Sequence, residues 1–237
     1  VTKKDRYPLP RTDECLDAMN GCKWLSTFDL RSAYHQVPIH GPDKEKTSFI
    51  CHKGSFQFRT MPFGLCNAGA TFQRLMDVVL NGISLQGCLA YLDDVVVFSR
   101  TLDEHLEKLR QVFERLQIAG LKLKPSKCCV LQREVAFLGH VMTEEGITTD
   151  PEKIKAVVEW PVPTCVREVR AFVGLASYYR RFVRGFAEVA APLHELTKKN
   201  VKFCWEEKHQ AAFEILKQKL VQAPVLVAPD DEHRYIL

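Results

Sequence analysis

The chain has 237 residues, 46% of them hydrophobic and 26% charged, which is typical of a globular protein with one large core or two smaller ones. No apolar run approaches the ~20 residues that a membrane-spanning helix needs, and no signal peptide pattern stands at the start, so we expect neither a membrane partner nor secretion. The net charge is a mild +4. The nine cysteines form no CxxC pair, and no His/Cys group has zinc-ligand spacing, which predicts reduced thiols in an intracellular compartment.

Residues 1–145 predict a mixed α+β region, in which short β-type runs alternate with turn signals and helical patterns. In chain order we expect a short helix after "RYPLPRTDE", a strand in "KWLSTFDL", a hairpin in "KTSFICHKGSFQFRTM", a helix capped by Asn67, a hairpin around "YLDD", and an amphipathic helix that Gly120 ends. The apolar stripe of that last helix is Leu102, Leu106, Leu109, Val112, Phe113 and Leu116.

Helical patterns dominate after Gly146, where we place a domain boundary. Asp150 followed by Pro151 is typical of a helix start, because Asp caps a helix and Pro fits its first turn. Further helices are expected over 165–184, 186–198 and 206–220. The last stretch, "APVLVAPDDEHRYIL", stops in what we expect to be a strand.

The helix predicted over 165–184 has two different sides. Its apolar side is Val166, Val169, Phe172, Val173, Ala176 and Val183, and its other side carries Arg170, Gly174, Tyr178 and Arg181. A glycine inside a helix costs about 1 kcal/mol relative to alanine, so Gly174 calls for a reason. It either bares the helix backbone for close approach of a binding partner or lets two helices pack closely. Residues 151–200 hold nine Lys or Arg and five Asp or Glu, which suits a polyanionic partner or an ordinary solvated surface.

Two adjacent aspartates, Asp93 and Asp94, lie between the apolar runs of the second predicted hairpin. They are either an ordinary turn or a site that delivers carboxylates to a divalent cation. The glycine that usually accompanies Asp in a tight hairpin turn is missing, and Val95 follows at once, which favours the cation site without deciding it. Asp29, at the end of its predicted strand, is the candidate third carboxylate if that strand neighbours the hairpin.

Five motifs occur in a fixed order: "FDLRSAYHQVPI", "MPFGLCNAGATFQ", "YLDD", "LKLKPSKC" and "FLGH". Together they resemble the palm motifs of reverse transcriptases, and "RYPLPRTDE" with "VREVRAFVGLASYYRRFV" narrows the resemblance to gypsy-type long-terminal-repeat retroelements. The resemblance covers essentially the whole chain. It implies an α+β fold, with a polymerase palm (an antiparallel sheet backed by helices) and partial fingers over 1–145, followed by an all-α thumb over 146–200. A connecting helix and the start of a truncated RNase H-like domain would occupy 201–237.

The resemblance also implies roles for single residues. Asp29, Asp93 and Asp94 match the metal-binding carboxylates, and Lys127 matches a lysine that would protonate the leaving pyrophosphate, unless it is a plain surface lysine. Tyr34 matches the aromatic that crowds the sugar 2′ position, unless it is an ordinary core aromatic. The residues that match nucleotide-contacting segments are Leu30, Arg31, Ser32, Ala33, Tyr34, Phe63, Gly64 and Leu65; those of the primer grip are Phe137, Leu138, Gly139 and His140; those of the duplex-tracking helix are Arg170, Gly174, Tyr178 and Arg181. Retroviral relatives carry Gln at the position of Phe63, so a polar contact there is not expected.

The implied activity is RNA-directed DNA polymerisation. The 3′-hydroxyl of a primer would attack the α-phosphate of a dNTP, with two Mg²⁺ ions, or Mn²⁺, on the three aspartates. The implied partners are a template–primer duplex or RNA–DNA hybrid, dNTP, and RNase H and integrase domains of a longer polyprotein. That polyprotein would reside in a cytoplasmic particle or the nucleus. Because the chain begins after the expected fingers segment and stops before the first RNase H acid, we expect no RNase H chemistry and feeble or no polymerase activity from it alone.

A second hypothesis is a catalytically dead, nucleic-acid-binding remnant of a retroelement. The three intact aspartates argue against long decay, whereas the abrupt ends of the chain argue for a remnant or an arbitrary boundary.

Overall fold

The computed structural model describes residues 2–84 and 87–227, and these form two compact units, one up to Phe137 and one from Leu138. The predicted α+β architecture is confirmed. The elements of the first unit are α1 (Thr12–Ala18), β1 (Trp24–Asp29), β2 (Phe49–Cys51), β3 (Gly54–Phe56), α2 (Ala68–Val79), β4 (Cys88–Tyr91), β5 (Asp94–Ser99), α3 (Leu102–Ile118), β6 (Cys129–Gln132) and β7 (Glu134–Phe137). Those of the second are β8 (His140–Thr143), β9 (Gly146–Thr149), α4 (Pro151–Val158), α5 (Val166–Tyr178), α6 (Phe186–Leu196) and α7 (Glu207–Val221).

A four-stranded antiparallel sheet in the order β4-β5-β1-β6 is the centre of the first unit. Helices α2 and α3 share one hydrophobic core with it, formed by Phe28, Val95 and Val97 of the sheet, Phe72 and Met76 of α2, and Leu109, Val112 and Leu116 of α3. Full burial of each such side chain contributes about 1.5–3 kcal/mol, so this face holds the sheet and its helices together. The predicted sheet backed by helices is therefore confirmed.

The buried face of α3 differs from the predicted stripe. Leu109, Val112 and Leu116 are buried as expected, whereas Leu102, Leu106 and Phe113 are exposed. The first turn instead buries His105, whose imidazole is hydrogen-bonded to Ser26 of β1 and Ser99 of β5. The buried face of α3 therefore runs through His105, Leu109, Val112 and Leu116.

Asn67 precedes α2 as predicted, but its side chain does not cap the helix. Its amide nitrogen donates to the carbonyl of Lys3 at 2.9 Å, and its amide oxygen accepts from the backbone N–H of Asp5 at 3.1 Å. The side chain therefore fastens the N-terminal segment, and this contact replaces the predicted cap.

The second unit is a β8–β9 hairpin followed by helices. The Asp150 carboxylate accepts from the N–H of Glu152 at 2.9 Å, so the predicted helix start is confirmed. The hairpin belongs to this unit, and the boundary lies at Phe137–Leu138 instead of Gly146. The reason is that β8 pairs with β9 from His140 to Thr149, and Ile147 of β9 exchanges two backbone hydrogen bonds, both 2.8 Å long, with Leu226.

The helix predicted over 165–184 is shorter than expected. It ends at Tyr178, and a 3₁₀ turn over Arg180–Phe182 follows, because the hydroxyls of Tyr178 and Tyr179 both donate to the Leu138–Gly139 turn.

Residues 228–237, which hold most of the predicted last strand and the proposed RNase H-like start, lie outside the described residues. No helix within residues 2–84 and 87–227 has the length and apolarity to cross a membrane.

Candidate active site

Three acidic residues meet at one end of strands β1 and β5. The two strands are antiparallel with Asp29 directly opposite Asp94, so the two side chains point to the same face. Tyr91 of β4 pairs with Asp94, which leaves Leu92 and Asp93 as the turn of the hairpin. The N–H of Leu30 donates to the Asp93 carbonyl at 3.2 Å. The strand that ends at Asp29 therefore lies next to the hairpin, as a site shared by the three aspartates requires.

The segment after β1 is held by backbone contacts with residues 122–124. The N–H of Arg31 donates to the Lys122 carbonyl at 2.9 Å, and the N–H of Lys124 donates to the Asp29 carbonyl at 2.8 Å. The side chain of Gln36 adds a latch: its amide nitrogen donates to the carbonyls of Arg31 at 2.7 Å and Lys122 at 3.0 Å, and its oxygen accepts from the Lys122 N–H at 2.6 Å. These bonds bring cationic side chains beside Asp29.

The electrostatics of this edge are unbalanced. Lys127 Nζ lies 2.9 Å from Asp29 Oδ2, and this contact raises the pKa of Lys127. Partial burial raises the pKa of Asp94, and the negative charges of Asp93 and Asp29 raise it further, while Lys127 opposes them. For Asp94, burial and the neighbouring carboxylates together thus outweigh the influence of Lys127.

A cleft opens beside the carboxylates and contains many of the expected nucleotide-contacting residues. Its lining combines acidic, cationic and apolar groups: Asp29, Asp93, Arg31, Lys124, Lys127, Ser32, Leu30, Phe63, Leu123 and Pro125. The expected residues Leu30, Arg31, Ser32 and Phe63 are thus brought together with Asp29, Asp93 and Lys127. Lys124 also lines the cleft, although the sequence motif alone assigned it no role.

Tyr34, another expected nucleotide-contacting residue, lies in an aromatic cluster. Its ring packs edge-on against Phe63 at 5.5 Å and Phe72 at 5.8 Å between centroids, and burial followed by the charge of Asp93 raises its pKa. Ala33 is buried, whereas Gly64 and Leu65 are exposed in the loop after Phe63. Tyr34 is half-buried and close enough to Asp93 to sense its charge, so it borders the site.

The expected primer grip straddles the boundary between the units. Phe137 is buried at the end of β7, and Leu138 and Gly139 follow with left-handed φ values of +47° and +66°. In the second unit, the His140 ring lies among Tyr178, Tyr179 and Phe182 at centroid distances of 5.2, 5.3 and 5.8 Å. Tyr179 is buried and its hydroxyl donates to the Gly139 carbonyl at 2.7 Å, so the turn is fixed on the end of α5.

The residues expected to track a duplex are all exposed. A Cβ added at Gly174 would meet nothing within 4 Å, so close helix packing does not explain this glycine. The guanidinium of Arg170 donates to the Thr197 carbonyl at the end of α6 at 2.9 Å. Arg181 lies in the 3₁₀ turn and not on α5 itself.

The donor chemistry of the acidic edge fits a hard divalent cation. Among the described parts of the chain, no three His, Cys, Asp or Glu side chains form a group that could hold a metal ion unaided. Mg²⁺, however, usually takes one or two protein carboxylates and completes its shell with water and substrate phosphates. The facing pair Asp29 and Asp94, with Asp93 beside it, meets that requirement, and the ammonium of Lys127 now neutralises part of the charge.

Comparisons with known proteins identify the family of the chain. Residues 1–142 match the family model described as reverse transcriptase (RNA-dependent DNA polymerase). The chain is 41% identical over 238 residues to the retrovirus-related Pol polyprotein from transposon 297 of Drosophila melanogaster, covering 100% of this chain and 22% of that protein. It is 36% identical over 241 residues to the Pol polyprotein from transposon gypsy of the same fly, covering 97% and 23%.

Two solved structures share the fold. The foamy viral protease-reverse transcriptase dRH in complex with ds DNA has a TM-score of 0.89 and 27% identity, covering 97% of this chain and 41% of that one. The foamy viral protease-reverse transcriptase in complex with RNA/DNA hybrid has a TM-score of 0.84 and 27% identity, covering 97% and 31%. The chain thus spans under a quarter of the length of these two fly polyproteins and under half of these two viral chains.

Proposed function

The chain belongs to the reverse transcriptase family, and from that premise we propose that it carries the nucleotidyl-transfer centre of an RNA-directed DNA polymerase in a gypsy-type Pol polyprotein. The observation that carries the proposal is the register pair of Asp29 and Asp94, with Asp93 in the adjoining turn and a cleft beside them. In this proposal residues 1–145 form the palm with partial fingers and residues 146–200 the helical thumb, while residues 201–237 supply a connecting helix and the start of an RNase H-like domain.

The three aspartates would hold divalent cations, Mg²⁺ or Mn²⁺. Such ions, when bound, activate an attacking oxygen and stabilise a leaving one. The contribution of Asp29, Asp93 and Asp94 is to place negative charge at one rigid sheet edge, so that no reorganisation is needed when the reaction occurs. Burial raises the pKa of Asp94, and the charges of Asp93 and Asp29 raise it further; positive charge bound between the carboxylates would offset that repulsion.

The cationic side of the cleft would receive the triphosphate of a dNTP. Arg31 and Lys124 line it together with Lys127, and the backbone after Asp29 is fixed by the Gln36 latch. Lys127, whose pKa is raised by the Asp29 carboxylate, would supply positive charge to the departing pyrophosphate and, as the family resemblance implies, a proton to its oxygen. Tyr34, held by Phe63 and Phe72, would exclude the 2′-hydroxyl of a ribonucleotide.

The partners we propose are a template–primer duplex or RNA–DNA hybrid, as in the complexes of the structural relatives. The Phe137–His140 turn would grip the primer end, and the exposed face with Arg170, Gly174, Tyr178 and Arg181 would follow the minor groove. RNase H and integrase domains would act in the same polyprotein. Its location would be an intracellular particle or the nucleus, which suits cysteines without a disulfide pattern.

The test is extension of a labelled DNA primer on an RNA template with Mg²⁺. It compares the 237-residue chain with a longer product of the same reading frame, each as wild type, Asp93→Asn and Asp103→Asn. Asp103 is the matched control, because it is an exposed carboxylate in the first turn of α3. We expect extension to be lost in Asp93→Asn and kept in Asp103→Asn. Equal activity in both variants would refute the proposal, and hybrid binding without extension in any form would support the binding-only remnant.

A further inference from the structure

The side chain of Gln73 connects helix α2 to the hairpin turn that carries the aspartates. Gln73 is fully buried, with 0% of its surface exposed. Its amide oxygen accepts from the N–H of Leu92 at 2.9 Å, and its amide nitrogen donates to the Ala90 carbonyl at 3.0 Å. The same nitrogen donates to Asp77 Oδ1 at 2.9 Å. One side chain thus binds both a backbone carbonyl, that of Ala90, and a backbone N–H, that of Leu92, just before Asp93.

The orientation of this amide is fixed by chemistry. Ala90 offers a carbonyl and Asp77 a carboxylate, so both can only accept, whereas the Leu92 N–H can only donate. A flipped amide would set its oxygen against two acceptors and its NH₂ against a donor. No apolar residue and no carboxylate can make the same three bonds.

The backbone that Gln73 binds has an unfavourable conformation at Leu92. Leu92 has a φ of +55°, a left-handed conformation that costs a residue with a side chain about 1–2 kcal/mol. Asp93 follows directly, and Asp94 then faces Asp29. Release of the Leu92 N–H would let the turn relax to other conformations and would move the two carboxylates with it.

A second layer of contacts fixes Gln73 itself. Asp77 lies one helical turn further along α2, and its other carboxylate oxygen accepts from the Tyr7 hydroxyl at 2.5 Å. Arg74 stacks on the Tyr7 ring at 4.6 Å and pairs with Asp5 at 2.7 Å. The "RYPLP" segment is thereby tied, through Tyr7, Asp77 and Gln73, to the turn beside the active site.

We infer that Gln73 is a positioning residue that fixes the Leu92–Asp93 turn so that Asp93 and Asp94 can bind a divalent cation, with Tyr7 and Asp77 as its support. The inference deepens the proposed function and rests on it for its catalytic consequence. The placement of the turn itself can be measured without catalysis.

The experiment combines amide hydrogen exchange with Mn²⁺ binding, both measured on the full folded chain in the absence of nucleic acid. Gln73→Met keeps the length of the side chain and removes its amide. Met76→Ala is the matched control, because Met76 is also on α2 and fully buried but packs only in the apolar core. Tyr7→Phe removes the support of Asp77 without changing the core, and it replaces Gln73→Met if that variant does not fold.

In Gln73→Met we expect the Leu92 N–H to exchange about five- to tenfold faster than in the wild type, as the loss of one hydrogen bond implies. The other amides of the first unit should exchange as they do in the wild type. We expect the Mn²⁺ affinity of Gln73→Met to fall by about tenfold. Met76→Ala should speed exchange throughout the unit and leave Mn²⁺ affinity unchanged, and Tyr7→Phe should give the Gln73→Met pattern more weakly.

Unchanged exchange at Leu92, or the same exchange pattern and Mn²⁺ affinity in Gln73→Met and Met76→Ala, would overturn the inference. Selective changes in Gln73→Met, together with no primer extension by the wild-type chain or by the longer product of the same reading frame, would sustain the positioning role and count against the proposed function instead.

Discussion

Strands β1 and β5 carry polar residues toward both ends, and the two ends differ in how those residues are satisfied. Near one end, His105 bonds Ser26 at 2.7 Å and Ser99 at 3.0 Å, and Ser26 also accepts from the N–H of Leu131 at 3.0 Å. All three side chains are buried. At the other end Asp29 faces Asp94 across the strand pair, beside an open cleft.

The two ends therefore differ in role: the buried polar groups of one end stabilise the fold, whereas the carboxylates of the other end are available to a ligand. The Ser–His cluster pairs its groups internally, and burial lowers the pKa of His105 so that the ring stays neutral. The acidic edge does the opposite: it gathers like charges, and Lys127 contacts one of them, Asp29. A cation that binds between such carboxylates favours their charged forms.

The largest expected effect is at the acidic end. Asp29→Asn should reduce primer extension by at least about a hundredfold, because a preorganised charge is lost at the reacting centre. The ion pair with Lys127 is partly exposed, so the melting temperature should change by only about 2 °C or less. Extension rate and thermal unfolding of the same preparation check both parts. Retained activity would place the chemistry elsewhere.

Ser26→Ala should show the reverse behaviour. The buried His105 nitrogen and the Leu131 N–H lose their partner, which should lower the free energy of unfolding by about 1–3 kcal/mol. Extension per folded molecule should stay unchanged. Urea unfolding gives the first value and active-site titration the second. A Ser26→Ala protein that is as stable as the wild type but inactive would contradict the claim that this end has a structural role and the acidic end a catalytic one.

Gly174→Ala extends the comparison to the second unit. The added methyl group meets no neighbouring atom and improves helix propensity, so the free energy of unfolding should rise by up to about 1 kcal/mol. If the bare backbone faces a duplex, the affinity for an RNA–DNA hybrid should fall several-fold at the same time. Fluorescence anisotropy measures that affinity. Gain of stability with unchanged binding would remove Gly174 from the duplex track.

The smallest expected effect is on the pH dependence of stability. The folded pKa of His105 lies below its ordinary value of 6.5, chiefly because of burial and then because of Lys108. Protons therefore bind the unfolded chain more tightly, so this stability is complete above pH 6.5 and is lost as the pH falls through the lowered pKa. His105→Gln should flatten the curve of unfolding free energy against pH relative to the wild type. A curve that is the same in both proteins would contradict the assignment.

The parts of the fold set by local chemistry were predictable from sequence. The strand that ends at Asp29, the hairpin around Asp93 and the helix that starts after Asp150 follow from periodicity, turn residues and capping. The misses all depend on partners distant in the chain. Asn67 bonds Lys3 and Asp5 instead of its own helix, and α5 stops where two tyrosines bond a turn about 40 residues earlier.

The candidate site divides in the same way. Motif order pointed to Asp29, Asp93 and Asp94, and the structure brings them to one edge, while their roles stay predictions. The sequence did not predict the roles of Gln36 and Gln73. Each side chain binds backbone groups of a segment distant in the chain, and no residue spacing indicates such a contact.

The most direct test of the account is thermal unfolding of the chain with and without Mg²⁺, in wild type and in a variant with both Asp29→Asn and Asp93→Asn. The account predicts that Mg²⁺ raises the melting temperature of the wild type, because the cation binds the folded acidic edge and relieves its repulsion. It predicts no such rise in the double variant, which should already be relieved of that repulsion. An equal rise in both proteins, or none in either at millimolar Mg²⁺, would contradict the claim that this edge is built to hold a divalent cation.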